Sequence, residues 1–180
     1  MSNALHRVCV TGPESTGKTT LAQQLAEFAQ TEWVPEASRI YAERNARELT
    51  AADVAPIARE HIALADAAEA RVRAAGGTLL VLDTDLLSTA VYARHYYRTV
   101  PAWVERVERA RRADLYLLCD IDVPWIPDGV RDRPANREEM YALFHGALLR
   151  RHAPFVVVRG DWDERWSIAR EALAPFTVQR

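Results

Sequence analysis

A chain of 180 residues, 49% hydrophobic and 27% charged, is long enough to bury one core and has neither a disordered nor a fibrous composition. Its 23 basic and 25 acidic side chains leave a net charge of −2, so no overall positive field is available to hold nucleic acid. Two cysteines, Cys9 and Cys119, are too few for a disulfide framework and lack zinc-site spacing, and no apolar run approaches the roughly 20 residues of a membrane span. Both cysteines lie in apolar runs and are expected in the core. The short apolar stretch at the N-terminus runs straight into a glycine-rich loop and does not read as a signal peptide. The expectation is a cytoplasmic protein without nucleic-acid or membrane partners.

In chain order, Arg7 to Thr11 reads as a first strand and Lys18 to Gln30 as a helix with Leu21, Leu25 and Phe28 at helical spacing. Thr31 to Pro35 is a short extended run, and Ser38 to Arg47 is helix-like. Thr50, with Asp53 three residues on, is a helix N-cap for a long helix from Ala51 to Ala75, stopped by Gly76-Gly77. Thr78 to Leu82 is a continuous apolar strand of the kind buried on both faces. Helices over Leu86 to Arg98 and Ala102 to Arg112 precede a strand over Leu115 to Cys119. Asp120 to Pro134 is irregular and proline-rich. A helix from Glu138 to Arg151, a strand from Phe155 to Arg159 and a helix from Asp163 to Ala172 complete the chain. This alternation predicts a single α/β domain over 1–180, with a parallel sheet covered by helices on both faces.

Residues Gly12-Pro13-Glu14-Ser15-Thr16-Gly17-Lys18-Thr19 match the phosphate-loop pattern G-x-x-x-x-G-K-[ST]. The glycines let the backbone curl until its N–H groups face phosphate oxygens. Lys18 supplies positive charge for the β and γ phosphates, the Thr19 hydroxyl is a magnesium ligand, and the following helix presents its N-terminus, with Thr20, to the same anion. An apolar strand before the loop and an amphipathic helix after it are the context this motif requires. ATP and Mg2+ are the expected cofactors. Gly12, Glu14, Ser15, Thr16, Gly17, Lys18, Thr19 and Thr20 are the expected nucleotide-binding residues.

Ligands of an open parallel sheet bind beyond the carboxyl ends of its strands, where Glu36, Asp83 and Asp85 lie. Asp83 closes the run Leu79 to Leu82, the place of a magnesium-associated aspartate; the competing reading is a turn or cap aspartate. Asp85 serves either a substrate hydroxyl or helix N-capping. Glu36 is the expected general base, accepting the acceptor's hydroxyl proton, and Arg39 either pairs with it or reaches the substrate. On the irregular segment, approximately 120–137, Arg131, Arg133 and Arg137 suit a closing lid that places positive charge over the migrating phosphoryl group and excludes water. Trp125 either stacks on a substrate ring or packs. Tyr92 either lines the substrate pocket or packs. His61, Trp103, Trp162 and Trp166 read as packing residues, and Gly160-Asp161 as a border of the adenine.

Together, G-P-E-S-T-G-K-T-T-L at 12–21, V-P-E-A-S-R at 34–39, D-T-D at 83–85 and W-I-P-D-G-V-R at 125–131 resemble the ribosylnicotinamide kinase domain of the NadR type, a nucleoside-kinase-like branch of the P-loop NTPases. The resemblance runs from Val8 to about Ala172. It implies a five-stranded parallel sheet flanked by helices with a lid. It also implies transfer of the γ-phosphoryl group of ATP to the 5′-hydroxyl of nicotinamide riboside, giving nicotinamide mononucleotide in NAD salvage. The adenylyltransferase domain and helix-turn-helix often fused to this family are expected to lie outside this chain, because about seven residues precede its first strand. Two other readings stay open: a P-loop kinase for another nucleoside, nucleotide or metabolite, and a nucleotide-dependent switch with little turnover.

Overall fold

The structure is a computed structural model and describes residues 4–124 and 136–177. Strands β1 (His6–Thr11), β2 (Trp33–Val34), β3 (Leu79–Asp83), β4 (Leu115–Cys119) and β5 (Phe155–Val158) form one parallel sheet in the order β2-β3-β1-β4-β5. Between and after them run α1 (Lys18–Ala29), α2 (Ala37–Asn45), α3 (Val54–Ala74), α4 (Leu86–Tyr97), α5 (Ala102–Ala110), α6 (Arg137–Arg150) and α7 (Trp162–Thr177).

The interior of the central strands, Val8 to Val10, Leu79 to Leu82 and Leu115 to Cys119, is apolar because both faces are covered. Successive side chains alternate between the faces. Cys9, Leu80, Leu82 and Leu118 pack with Ala65, Leu87, Phe144 and Leu148 of α3, α4 and α6. Val8, Val10, Val81 and Cys119 pack with Leu21, Leu25, Ala169 and Leu173 of α1 and α7. Cys9 and Cys119 therefore sit on opposite faces as buried free thiols. Burial pushes both thiols up, Cys119 to about 11.

Several boundaries differ from the sequence expectation. Strand β2 keeps only two residues, since Pro35 has no N–H with which to extend the ladder. The long helix begins at Val54 rather than Ala51, after a turn of 3-10 helix over Ala51–Asp53. There Asp53 Oδ2 accepts from the Thr50 N–H (2.8 Å) and hydroxyl (2.9 Å). The last helix passes Ala172 to Thr177, with Pro175 in its final turn. His61 is buried, and desolvation lowers its pKa to about 4, as suits a core histidine.

Candidate nucleotide and acceptor site

Sheet register assembles the site. Val10 lies opposite Asp83, and Val34 opposite Leu82. The glycine loop leaving β1, the carboxylate ending β3 and the Glu36 turn following β2 therefore meet at one edge. Gly12 has φ +133°, and an added Cβ would lie 2.8 Å from the Cys119 carbonyl oxygen, so the loop can leave β1 beside β4 only with glycine there. Gly17, at φ +80°, precedes α1, and no side chain caps that helix. Its first-turn N–H groups are the anion-binding end of the element.

Within the loop, the Thr16 hydroxyl and the Lys18 ammonium both donate to the Pro13 carbonyl, at 2.9 and 2.6 Å. Lys18 is 8% exposed, so a phosphate entering the loop would exchange one buried acceptor for a charged one. Glu14 and Ser15 line the turn, Ser15 with φ +53°, and Thr20 is exposed in the first turn of α1.

Thr19 Oγ1 donates to Asp83 Oδ2 at 2.6 Å. Asp83 Oδ1 is buried and has no hydrogen-bond partner among the described residues. Burial and then the Glu36 charge push this carboxyl up to about 6, against Lys18, the Thr19 hydroxyl and Arg39. Glu36, Arg39, Lys18 and Asp83 thus share one electrostatic neighbourhood. Glu36 is itself buried, at the N-cap position of α2, with its Oε1 accepting from the Ser38 hydroxyl at 2.6 Å. An unsatisfied buried carboxylate oxygen beside a loop hydroxyl fits a magnesium ion carried in with phosphates. Magnesium commonly takes one or two protein ligands and completes its shell with phosphate and water. Among the described residues no cluster of three or more His, Cys, Asp or Glu side chains that could hold a metal occurs.

Asp85 has another use. Thr84, buried at φ +67° and tied to Val10 by a 2.9 Å backbone bond, turns the chain between the two aspartates. Asp85 then caps α4: Oδ1 accepts from the Leu87 N–H at 3.0 Å, and Oδ2 accepts from the Tyr116 hydroxyl at 2.7 Å. Burial pushes its carboxyl up to about 6. Of the two roles open to Asp85, the hydrogen bonds of its carboxylate are those of helix capping. Tyr92 lies on α4 against the core, stacked on Tyr96 and edge-on to Phe144. Trp125, Arg131 and Arg133 lie outside the described residues. Arg137 opens α6 and reaches the glycine loop, donating to the Val123 carbonyl (3.0 Å) and the Ser15 carbonyl (3.3 Å).

Sequence reasoning missed Arg165. Its guanidinium, 1% exposed, donates to the carbonyls of Gly160 (2.9 Å), Thr16 (3.2 Å) and Asp120 (3.0 Å) and pairs with Asp122. It ties the glycine loop to the carboxyl ends of β4 and β5. Its local sequence is that of any charged helix residue, so only the fold reveals the role. Trp162, beside Gly17, is 37% exposed and flanks the loop.

Comparison with known proteins agrees with this geometry. A family model described as an AAA domain matches residues 7–165. The trifunctional NAD biosynthesis/regulator protein NadR of Escherichia coli K12 is 28% identical over 166 residues, covering 88% of this chain and 40% of that protein. The NadR of Salmonella typhimurium LT2 matches at the same identity and coverage. This chain thus spans less than half the length of those curated relatives. A crystal structure of NadR protein in complex with NR has a TM-score of 0.77 at 27% identity, covering 98% of this chain and 52% of that one. A thymidylate kinase from Ehrlichia chaffeensis shares the fold, with a TM-score of 0.66 at 12% identity. No helix among the described residues is long and apolar enough to cross a membrane. The phosphate loop at the carboxyl end of a central parallel strand and a family match along most of the sequence lead to one assignment: the chain belongs to the AAA domain family of P-loop proteins and resembles NadR.

Proposed function

We propose that residues 1–180 form one ATP- and magnesium-dependent kinase domain that phosphorylates the 5′-hydroxyl of nicotinamide riboside to give nicotinamide mononucleotide and ADP. The observation that carries the kinase reading is the buried Glu36 beside Asp83 at the mouth of the glycine loop. A switch has no use for a second desolvated carboxylate there, whereas phosphoryl transfer to an alcohol needs a proton acceptor. The acceptor reading is supported by the likeness over 98% of this chain to a NadR structure holding NR.

In this mechanism the glycine loop and the N-terminus of α1 hold the phosphates of ATP. Magnesium, bound by Thr19 and Asp83, would neutralise charge on the phosphate oxygens. Glu36 orients the acceptor and takes its hydroxyl proton as the new O–P bond forms and the bond from the γ-phosphorus to the β–γ bridging oxygen breaks. ADP leaves with that bond's electron pair. Lys18 and arginines of the 120–137 segment stabilise the transferring group. Arg39 is the further contact to the acceptor.

The test is ADP formation with nicotinamide riboside, with a panel of other nucleosides, and with no acceptor. Stimulation by nicotinamide riboside, with the mononucleotide as product, supports the proposal. Stimulation by another nucleoside alone replaces the substrate, and none by any acceptor overturns the kinase reading. Glu36→Gln should slow transfer by about 100-fold or more while ATP still binds.

A further inference from the structure

The far end of the sheet carries a feature that phosphoryl transfer leaves unused. A cavity of about 590 Å3 opens among α4, α5 and the C-terminal end of α6, lined by Arg94, Glu108, Arg109, Arg112, Arg150 and Arg151. Arg109 and Arg112 precede β4, and Arg150 and Arg151 precede β5. The cavity therefore lies at the amino ends of these strands, a strand length (roughly 16 Å) from the glycine loop.

Part of the lining is built in place. Glu108, 2% exposed, accepts from Arg151 through two bonds of 2.7 and 2.9 Å. The Arg151 carbonyl accepts from Arg112 Nη1 at 3.0 Å, and Arg94 pairs with Glu105. Arg109 and Arg150 are exposed and pair with no carboxylate among the described residues. Five guanidinium groups against the Glu108 and Glu105 carboxylates leave a surplus of three positive charges in one concavity, on a chain whose net charge is −2. Guanidinium stays ionised and presents paired donors that match phosphate oxygens.

We propose that this cavity is a binding site for a small multivalent phosphate anion, a pyrophosphate or nucleotide polyphosphate group, separate from the glycine loop. Arg109 and Arg150 supply the uncommitted donors, and the Glu108–Arg151 pair forms the fixed floor. The surplus charge calls for two or more phosphates, and a concavity of about 590 Å3 suits a small anion better than a nucleic-acid backbone.

Calorimetric titration of the full chain with inorganic pyrophosphate tests this without any acceptor present. Two sites are expected, one lost in Lys18→Ala and the other weakened at least tenfold in the double variant Arg109→Glu, Arg150→Glu. Arg170→Glu, an exposed charge reversal on α7, should leave both sites intact. Thermal unfolding checks that each variant is folded, and the single variants Arg109→Ala and Arg150→Ala should each weaken the second site if the double variant does not fold. An ADP arm in the Lys18→Ala protein separates the sources: tighter binding than pyrophosphate points to a nucleotide, equal binding to an inorganic chain. Unchanged pyrophosphate binding in the arginine variants would overturn the proposal, as would equal weakening by Arg170→Glu or displacement by a short DNA duplex at lower concentration than ADP.

Discussion

Replacing Asp83 with asparagine should stabilise the ligand-free protein while removing the proposed kinase activity. Asp83 is 1% exposed, and its pKa rises from 3.8 to about 6 because burial and Glu36 disfavour its charge. The folded state then binds the proton more tightly than the unfolded chain does, so stability falls as pH rises from about 4 through about 6 and stays lower above that. The full rise corresponds to about 3 kcal/mol. Asparagine keeps an acceptor for the Thr19 hydroxyl and places an uncharged amide towards Glu36. Urea unfolding of both proteins without nucleotide at pH 4.5, 6 and 8 measures the effect. The asparagine variant should gain up to about 3 kcal/mol at pH 8, somewhat less at pH 6, and about 1 kcal/mol at pH 4.5. A gap between the two proteins that does not widen with pH would refute the reasoning, since it would mean the carboxylate is not held against its charge. The gain itself would mark the site as one where stability is given up for ligand chemistry.

Asp85→Asn should do the opposite despite a similar upward shift. Its oxygens accept from Leu87 and Tyr116, and an amide nitrogen facing either donor leaves a buried clash, so a loss of about 1–3 kcal/mol is expected in urea unfolding. Arg165→Met removes the guanidinium that joins Thr16, Gly160 and Asp120. It strands their carbonyls and should cost about 3–5 kcal/mol, with nucleotide affinity falling as the loop loosens. Lys18→Ala should abolish ATP binding measured by calorimetry while the unfolding midpoint stays within a few degrees, because its bond to the Pro13 carbonyl is local to the loop.

Much of the fold was legible in the chain. Val8 to Val10 of β1, Leu79 to Leu82 of β3 and all of β4 are apolar runs, and the glycine loop sits between the first of them and a helix, so the sheet's parallel character and the expected phosphate-binding end follow from pattern alone. Element ends were less legible. Pro35 shortened β2, and the Thr50–Asp53 bonds gave a 3-10 turn in place of the first helical turn, because such boundaries depend on which hydrogen bonds the neighbours accept.

By itself the sequence determined the glycine loop of residues 12–19 and the strands around it, since these rest on local residue types and their periodicity. Only the tertiary structure decided how two aspartates a single residue apart divide their work. Thr84 at positive φ sends Asp83 to Thr19 and Asp85 to Tyr116, a residue 31 positions away. The same holds for Arg165, whose partner Thr16 is 149 positions distant. A side chain's role there depends on which distant donors and acceptors the packed sheet brings to it, and that information is not carried by its sequence neighbours.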